Sequence, residues 1–182
     1  MQIAIVIATY NRPDALAALL EGYLHQDTGD FELIVADDGS KDDVRLLTED
    51  YARRAPFPVT HLWHEDQGFR ATVMRNRGLA TTRADYVIYT DADCVPAPDF
   101  VRRHRMLAEP GCFLSGNRVL LSEALTQRVL EQHLPLYDWS FAQWTAARLR
   151  GDINRLLPLL RLPDGAFRKR SPERWEGVKT CN

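Results

Sequence analysis

The feature that most constrains the fold is a period. Short apolar runs rich in β-branched residues begin at residues 3, 31, 59 and 85, so successive starts lie 26 to 28 residues apart. That interval is close to the roughly 30 residues of a strand, a crossover helix and the next parallel strand. The first run, IAIVIA (3–8), is continuously apolar, the pattern of a strand covered on both faces. FELIVA (31–36), VTHLWH (59–64) and DYVIYT (85–90) read as the second, third and fourth strands. Between them, Pro13 suits a first helical turn, and Leu16, Leu19, Leu20 and Tyr23 follow at helical spacing. After DDGSKDD, Ser40 is placed to cap a helix whose apolar side is Val44, Leu47 and Tyr51. A third helix spans 71–82 with Met74 and Leu79 inward, a fourth covers PDFVRRHRMLAE, and CFLSGNRVLL (112–121) is expected to add a fifth strand. The expected class is α/β, a mostly parallel, doubly wound sheet flanked by helices.

From Ser122 the rhythm changes to Leu-, Trp- and Arg-rich helical stretches broken by Pro135, Pro158 and Pro163. Residues 1–121 thus read as the core, and 122–182 as a helical extension of the same domain ending in an irregular basic tail. The 182 residues suffice for one filled core. A formal net charge of −2 gives no global field for gripping nucleic acid, and none is expected as a partner. Three cysteines without CxxC spacing suggest neither a disulfide framework nor a zinc site, which fits a reducing cytoplasm. The opening MQIAIVIATYNRPD lacks a basic leader and its apolar run is too short to span a bilayer.

In open α/β sheets, ligands sit beyond the carboxyl ends of the strands. Three polar clusters fall there: TYNR (9–12), DDGS (37–40) and DAD (91–93). Carboxylates as close as Asp91 and Asp93 repel unless one is neutralised or a cation settles beside them. Among oxygen ligands that cation is Mg²⁺ or Mn²⁺, which take one or two protein carboxylates and complete their shell with water and phosphate oxygens. Neither GxxxxGK[ST] nor GxGxxG occurs, so a metal is the economical way to manage the charge of a nucleotide diphosphate.

Taken in order, VIATYNRPDALAALLEGYLHQ, FELIVADDGSKD, DQGFRATVMRNRGLA and DYVIYTDADCVP resemble the nucleotide-sugar domain of family 2 glycosyltransferases with the GT-A fold. The nearest flavour is the polysaccharide and lipopolysaccharide branch, including chondroitin polymerase-like enzymes. The likeness covers roughly 1–121. It implies that Tyr10 lies against the uracil of a UDP-sugar, that Ala8 and Thr9 offer backbone contacts, and that Asp38 accepts from the base N3–H while Asp37 supports the turn. It further implies Asp91 on the ribose, with Ala92 between, and Asp93 on the metal. Arg70, Arg75 and Asn76 become candidates for base, ribose or phosphate, and Arg12 a weaker one of the same kind. The implied reaction is inverting, metal-dependent transfer of a sugar to a hydroxyl of a glycan or lipopolysaccharide-type acceptor, at the cytoplasmic side and with possible peripheral contact at the inner membrane face.

The family's acidic base, and the histidine that often completes the metal shell, belong to an acceptor half that has no counterpart before WEGVKTCN, so the chain is expected to be a fragment. Glu173 and Glu176 are weak candidates for the base, and Trp175 is the better acceptor-side aromatic. FRKRSPER (167–174) offers a basic run to anionic lipid or glycan. Blander readings stand beside these: Asp37, Asp38 and Gly39 as a turn, His61 and His64 as ordinary rim histidines without partners, Trp139 and Trp144 as packing. A non-catalytic nucleotide-binding domain, and less readily a sugar-nucleotide nucleotidyltransferase, are the alternative functions.

Overall fold

The computed structural model describes residues 1–114 and 116–160. Four strands, β1 (Ile3–Thr9), β2 (Glu32–Asp37), β3 (Val59–Trp63) and β4 (Tyr86–Asp91), alternate with helices α1 (Pro13–Leu24), α2 (Asp42–Arg54), α3 (Ala71–Thr81) and α4 (Phe100–Leu107). All four strands are parallel, in the order β3-β2-β1-β4. The chain therefore reverses direction of travel across the sheet between β1 and β4, which places a topological switch point at the centre of the rim.

Side-chain alternation divides the core by face. Ile3, Ile5 and Ile7 of β1, Leu33 and Val35 of β2, and Ile88 of β4 pack with Leu16, Leu19, Leu20 and Tyr23 of α1 and with Val101 of α4. Each such leucine contributes about 1.5–3 kcal/mol through burial. Ala4, Val6, Ile34 and Ala36 point the other way and meet Met74 of α3. The small Gly78 lets α3 lie close: a β-carbon there would come within 2.7 Å of Val6. Leu79, expected inward, is exposed. The reason is geometric, since the inward stripe of α3 is Ala71, Met74 and Gly78, and Leu79 falls on the next row out.

Helices α5 (Glu123–Gln132) and α6 (Phe141–Arg150) follow, with single 3₁₀ turns at Leu136–Asp138 and Leu157–Leu159. Leu125, Val129, Leu136, Ala147 and Ile153 form a third apolar cluster, against which Trp139 and Trp144 pack with ring centroids 4.9 Å apart. Ser140 and Gln143 make a reciprocal capping box that starts α6. His25 at the end of α1 stacks on Tyr137 at 4.2 Å, docking these helices beside α1.

The expected fifth strand does not form among the described residues of 112–121; Leu121 makes only one isolated antiparallel bridge, to Ile153. The segment contains Gly116-Asn117-Arg118, which interrupts strand character, and its end is drawn to the α6 side instead of the sheet. Ser40 is not the cap of α2 either. Lys41 holds that position without a side-chain bond, and the Ser40 hydroxyl accepts from the Asn11 N–H at 2.8 Å. Among the described residues no helix is long and apolar enough to cross a membrane.

Candidate functional site

Parallel pairing sends the carboxyl ends of all four strands to one rim. The register sets Thr9 beside Asp37 and Ala8 beside Asp91. Two backbone bonds extend the ladder past the strands: Asp38 N–H donates to Thr9 O and Ala92 N–H to Ala8 O, both at 3.0 Å. The first and second rim loops are also cross-linked. Asn11, at φ +48°, donates its N–H to Ser40 Oγ and accepts the Lys41 N–H on Oδ1 at 3.1 Å. Residues as far apart in sequence as Ala8 and Ala92 thereby share one edge.

Both aspartates of the second loop are buried and held from two sides. Asp37 Oδ1 accepts the Ser40 N–H, closing the turn, and its Oδ2 lies 2.9 Å from His61 Nε2. Asp38 Oδ1 lies 2.8 Å from His64 Nε2, and Oδ2 accepts the Arg70 N–H at 2.7 Å. Arg70 meets the rim through its backbone, while its side chain is exposed. Gly39, at φ +94°, threads between this turn and Asp66, where a β-carbon would sit 2.6 Å from Asp66 Cα. Asp66 in turn accepts from the Tyr10 hydroxyl at 2.9 Å. That bond raises the Tyr10 pKa; the Gly68 N–H, then Tyr10, lower that of Asp66. The half-exposed Tyr10 ring is thus steadied at the rim.

On the α3 face, the Arg75 guanidinium pairs with Asp91. Arg75 Nε and Thr9 Oγ1 are buried with no hydrogen-bond partner among the described residues. Asn76 is exposed on the same helix. On the other side of the rim Asp93 is exposed, accepting a 3.4 Å contact from Cys94 Sγ. Arg12 forms a two-pronged pair with Asp14, which raises its pKa, and the charge of Asp93 adds to that effect. Asp93, Arg12 and Thr90 open onto a cleft of about 720 Å³ that runs past His104 to Trp139 and Trp144.

The structure therefore brings Ala8, Thr9, Tyr10, Asp37, Asp38, Asp91 and Ala92 to one rim, with Arg75 above it and Arg12 and Asp93 at the cleft mouth. Asn76 and the Arg70 side chain stand in solvent. Reading His61 and His64 as partnerless was incorrect: each is bonded to a rim aspartate. The signal lay in the strand that neighbours β2: His61 on β3 and His64 just after it fall beside the end of β2, where the two aspartates stand. Asp66 left no comparable trace. Glu173, Trp175, Glu176 and the run 167–174 lie outside the described residues.

No group of three or more His, Cys, Asp or Glu side chains that could hold a metal occurs among the described residues. With Asp91 engaged by Arg75, the donor set is the exposed Asp93 carboxylate. It suits a hard cation that takes its other oxygens from phosphate and water, and does not suit an ion caged by protein alone.

The model of glycosyl transferase family 2 matches residues 4–156. A hyaluronan synthase of Pasteurella multocida is 33% identical over 108 residues, which are 59% of this chain and 11% of that protein. A chondroitin synthase of Escherichia coli is 34% identical over 106 residues, 58% of this chain and 15% of that protein. The chain thus spans a small part of the relatives it matches. A mannosyltransferase of Pyrobaculum calidifontis, solved with GDP-Man and Mn²⁺, superposes with a TM-score of 0.53 at 26% identity, covering 60% of this chain and 33% of that one.

Proposed function

The chain belongs to glycosyl transferase family 2, and from that premise we propose that it moves a sugar from a UDP-sugar to a hydroxyl of a glycan or lipopolysaccharide-type acceptor, with inversion and with a divalent metal. The observation that carries this reading is the joined rim: the register and the two extending backbone bonds put the ends of β1, β2 and β4 on one edge. In this reading the Tyr10 ring covers the uracil and Asp38 accepts its N3–H. Ala8, Thr9 and Ala92 line the ribose through backbone, while the Thr9 hydroxyl and Arg75 Nε gain partners on the ligand. Asp91 meets the ribose hydroxyls from within its pair with Arg75.

The diphosphate then runs across β1 toward Asp93, with Arg12 at its flank and Arg70 and Asn76 as outer contacts. Arginine suits this place because its planar fork of donors matches anionic oxygens. Asp93 would hold Mn²⁺ or Mg²⁺ with phosphate oxygens and water, whose chemistry there is Lewis-acid neutralisation of charge on the departing UDP. The cleft beyond Asp93 would admit the acceptor between the 1–121 core and the helices that follow Ser122. We assign no general base.

The test is a calorimetric titration of UDP with excess Mn²⁺ and again with EDTA. Binding at least about tenfold tighter with Mn²⁺, or 1.4 kcal/mol, is expected. Equal affinities would remove the metal from the reading, and no binding in either buffer would remove the nucleotide.

A further inference from the structure

We propose that His64 is a specificity-determining residue: together with the Arg70 amide it fixes Asp38 as an acceptor-only carboxylate, so that the rim selects a base edge carrying an N–H donor and rejects one carrying a bare ring nitrogen. The inference rests on the reading of Asp38 as the base contact and adds to it the group that decides what Asp38 can read.

The geometry begins at the edge strand. β3 is outermost in the sheet, next to β2. His61 is in register with Val35, two residues before Asp37, and its side chain leans forward to reach Asp37 Oδ2 at 2.9 Å. His64 lies just past the end of β3 and reaches Asp38, just past the end of β2, at 2.8 Å. The two carboxylates carry the same number of donors and differ in where they stand. Asp37 is fully buried at the end of β2, where one oxygen accepts the turn-closing Ser40 N–H and the other faces His61, so it serves the turn. Asp38 is 3% exposed, stands one residue nearer the rim, and holds one donor on each oxygen. A carboxylate has about four lone-pair sites, so each Asp38 oxygen retains acceptor capacity.

Consider what a base meets there. The Arg70 amide can only donate, which commits Oδ2 as an acceptor. With His64 Nε2 carrying its proton, Oδ1 is committed in the same way, and Asp38 has no proton to offer. Uracil presents N3–H to such a group, whereas cytosine presents an unprotonated N3 and meets lone pair against lone pair. A buried polar site of this kind discriminates strongly because the wrong ligand leaves its groups unpaired. Without the His64 donor, Oδ1 would lose the bond that orients it, and the carboxylate could turn its lone pairs away from the base edge. His64 thus acts through Asp38, as a positioning residue.

The experiment compares UDP and CDP affinities, with Mn²⁺, for the wild-type chain and for His64→Leu, His64→Gln and Asp38→Asn, each checked for an intact thermal transition. Wild type is expected to favour UDP by about tenfold or more, His64→Gln, which keeps an N–H donor, to stay within about threefold of that ratio, and His64→Leu to lose most of it. Full preference in His64→Leu, with Asp38→Asn losing it, would overturn the role of His64 and leave the base contact standing. Full preference in Asp38→Asn would remove the base contact and the proposal with it. A second readout does not depend on any variant folding. Long-range ¹H–¹⁵N spectra of the wild-type imidazoles should show His64 protonated at Nε2, and an unprotonated Nε2 facing Asp38 overturns the proposal.

Discussion

Replacing Gly39 by alanine should loosen the segment that carries His64, Asp66 and Arg70 without substituting any of them. Two costs combine. At φ +94° an L-residue crowds its own carbonyl, at about 1–2 kcal/mol. The new β-carbon would also lie 2.6 Å from Asp66 Cα and 2.7 Å from Asp66 N, so the loop must retreat by roughly 0.8 Å to regain ordinary contact at 3.4 Å. That displacement is enough to break the 2.9 Å bond from Tyr10 and to strain the 2.8 Å contact of His64 with Asp38. A net loss of about 2 kcal/mol corresponds to a melting point lowered by roughly 4–8 °C for a chain of this size. Losing the order of one rim hydrogen bond should weaken UDP by about fivefold. Scanning calorimetry and a UDP titration on the same preparation check both figures. A Gly39→Ala protein that melts and binds like wild type would show that the turn and the loop do not abut as described.

Two further outcomes follow from buried charge. Burial holds the His104 pKa down at about 4 against an ordinary 6.5, its Nδ1 lying 3.1 Å from the Tyr86 hydroxyl. The folded form therefore refuses a proton that the unfolded chain accepts, so stability is constant above pH 6.5 on this account and declines as pH falls from 6.5 toward 4, by up to about 3 kcal/mol. Urea unfolding across that range should show the decline, and His104→Phe should flatten it; an equal slope in the variant would refute the assignment. Arg75→Met removes the guanidinium that pairs with the partly buried Asp91, which should cost about 1–2 kcal/mol of stability and about tenfold in UDP affinity. Denaturation and titration measure the two separately, and no change in either would strip Arg75 of its role.

The parts of the fold that could be read in advance are those with local causes. β1 to β4 and α1 to α3 lie within a residue or so of the expected bounds because apolar runs and helical spacing mark them directly. CFLSGNRVLL failed because strand propensity is decided by the partner available: β1 is already flanked by β2 and β4, and the described residues of 112–121 pair with no strand of the sheet. Ser40 was misassigned for a similar reason: its hydroxyl had two possible uses, and the distant Asn11 N–H won over the local helix end. In the site, Asp38 and Asp91 could be placed from their positions after strands. What they bond to could not, since His64 and Arg75 arrive from 26 and 16 residues away through packing. Periodicity shows where a rim lies and is silent on which side chains cross it.

The most direct measurement of the central claim, that three rim loops form one nucleotide-diphosphate site with an ion at Asp93, is the pair of affinities for UDP and uridine in Asp93→Asn with Mn²⁺ present. The account predicts that UDP weakens by about a hundredfold, near 2.7 kcal/mol, while uridine, which has no phosphates to bridge, binds as it does to wild type. UDP binding with undiminished Mn²⁺ dependence in that variant would contradict it.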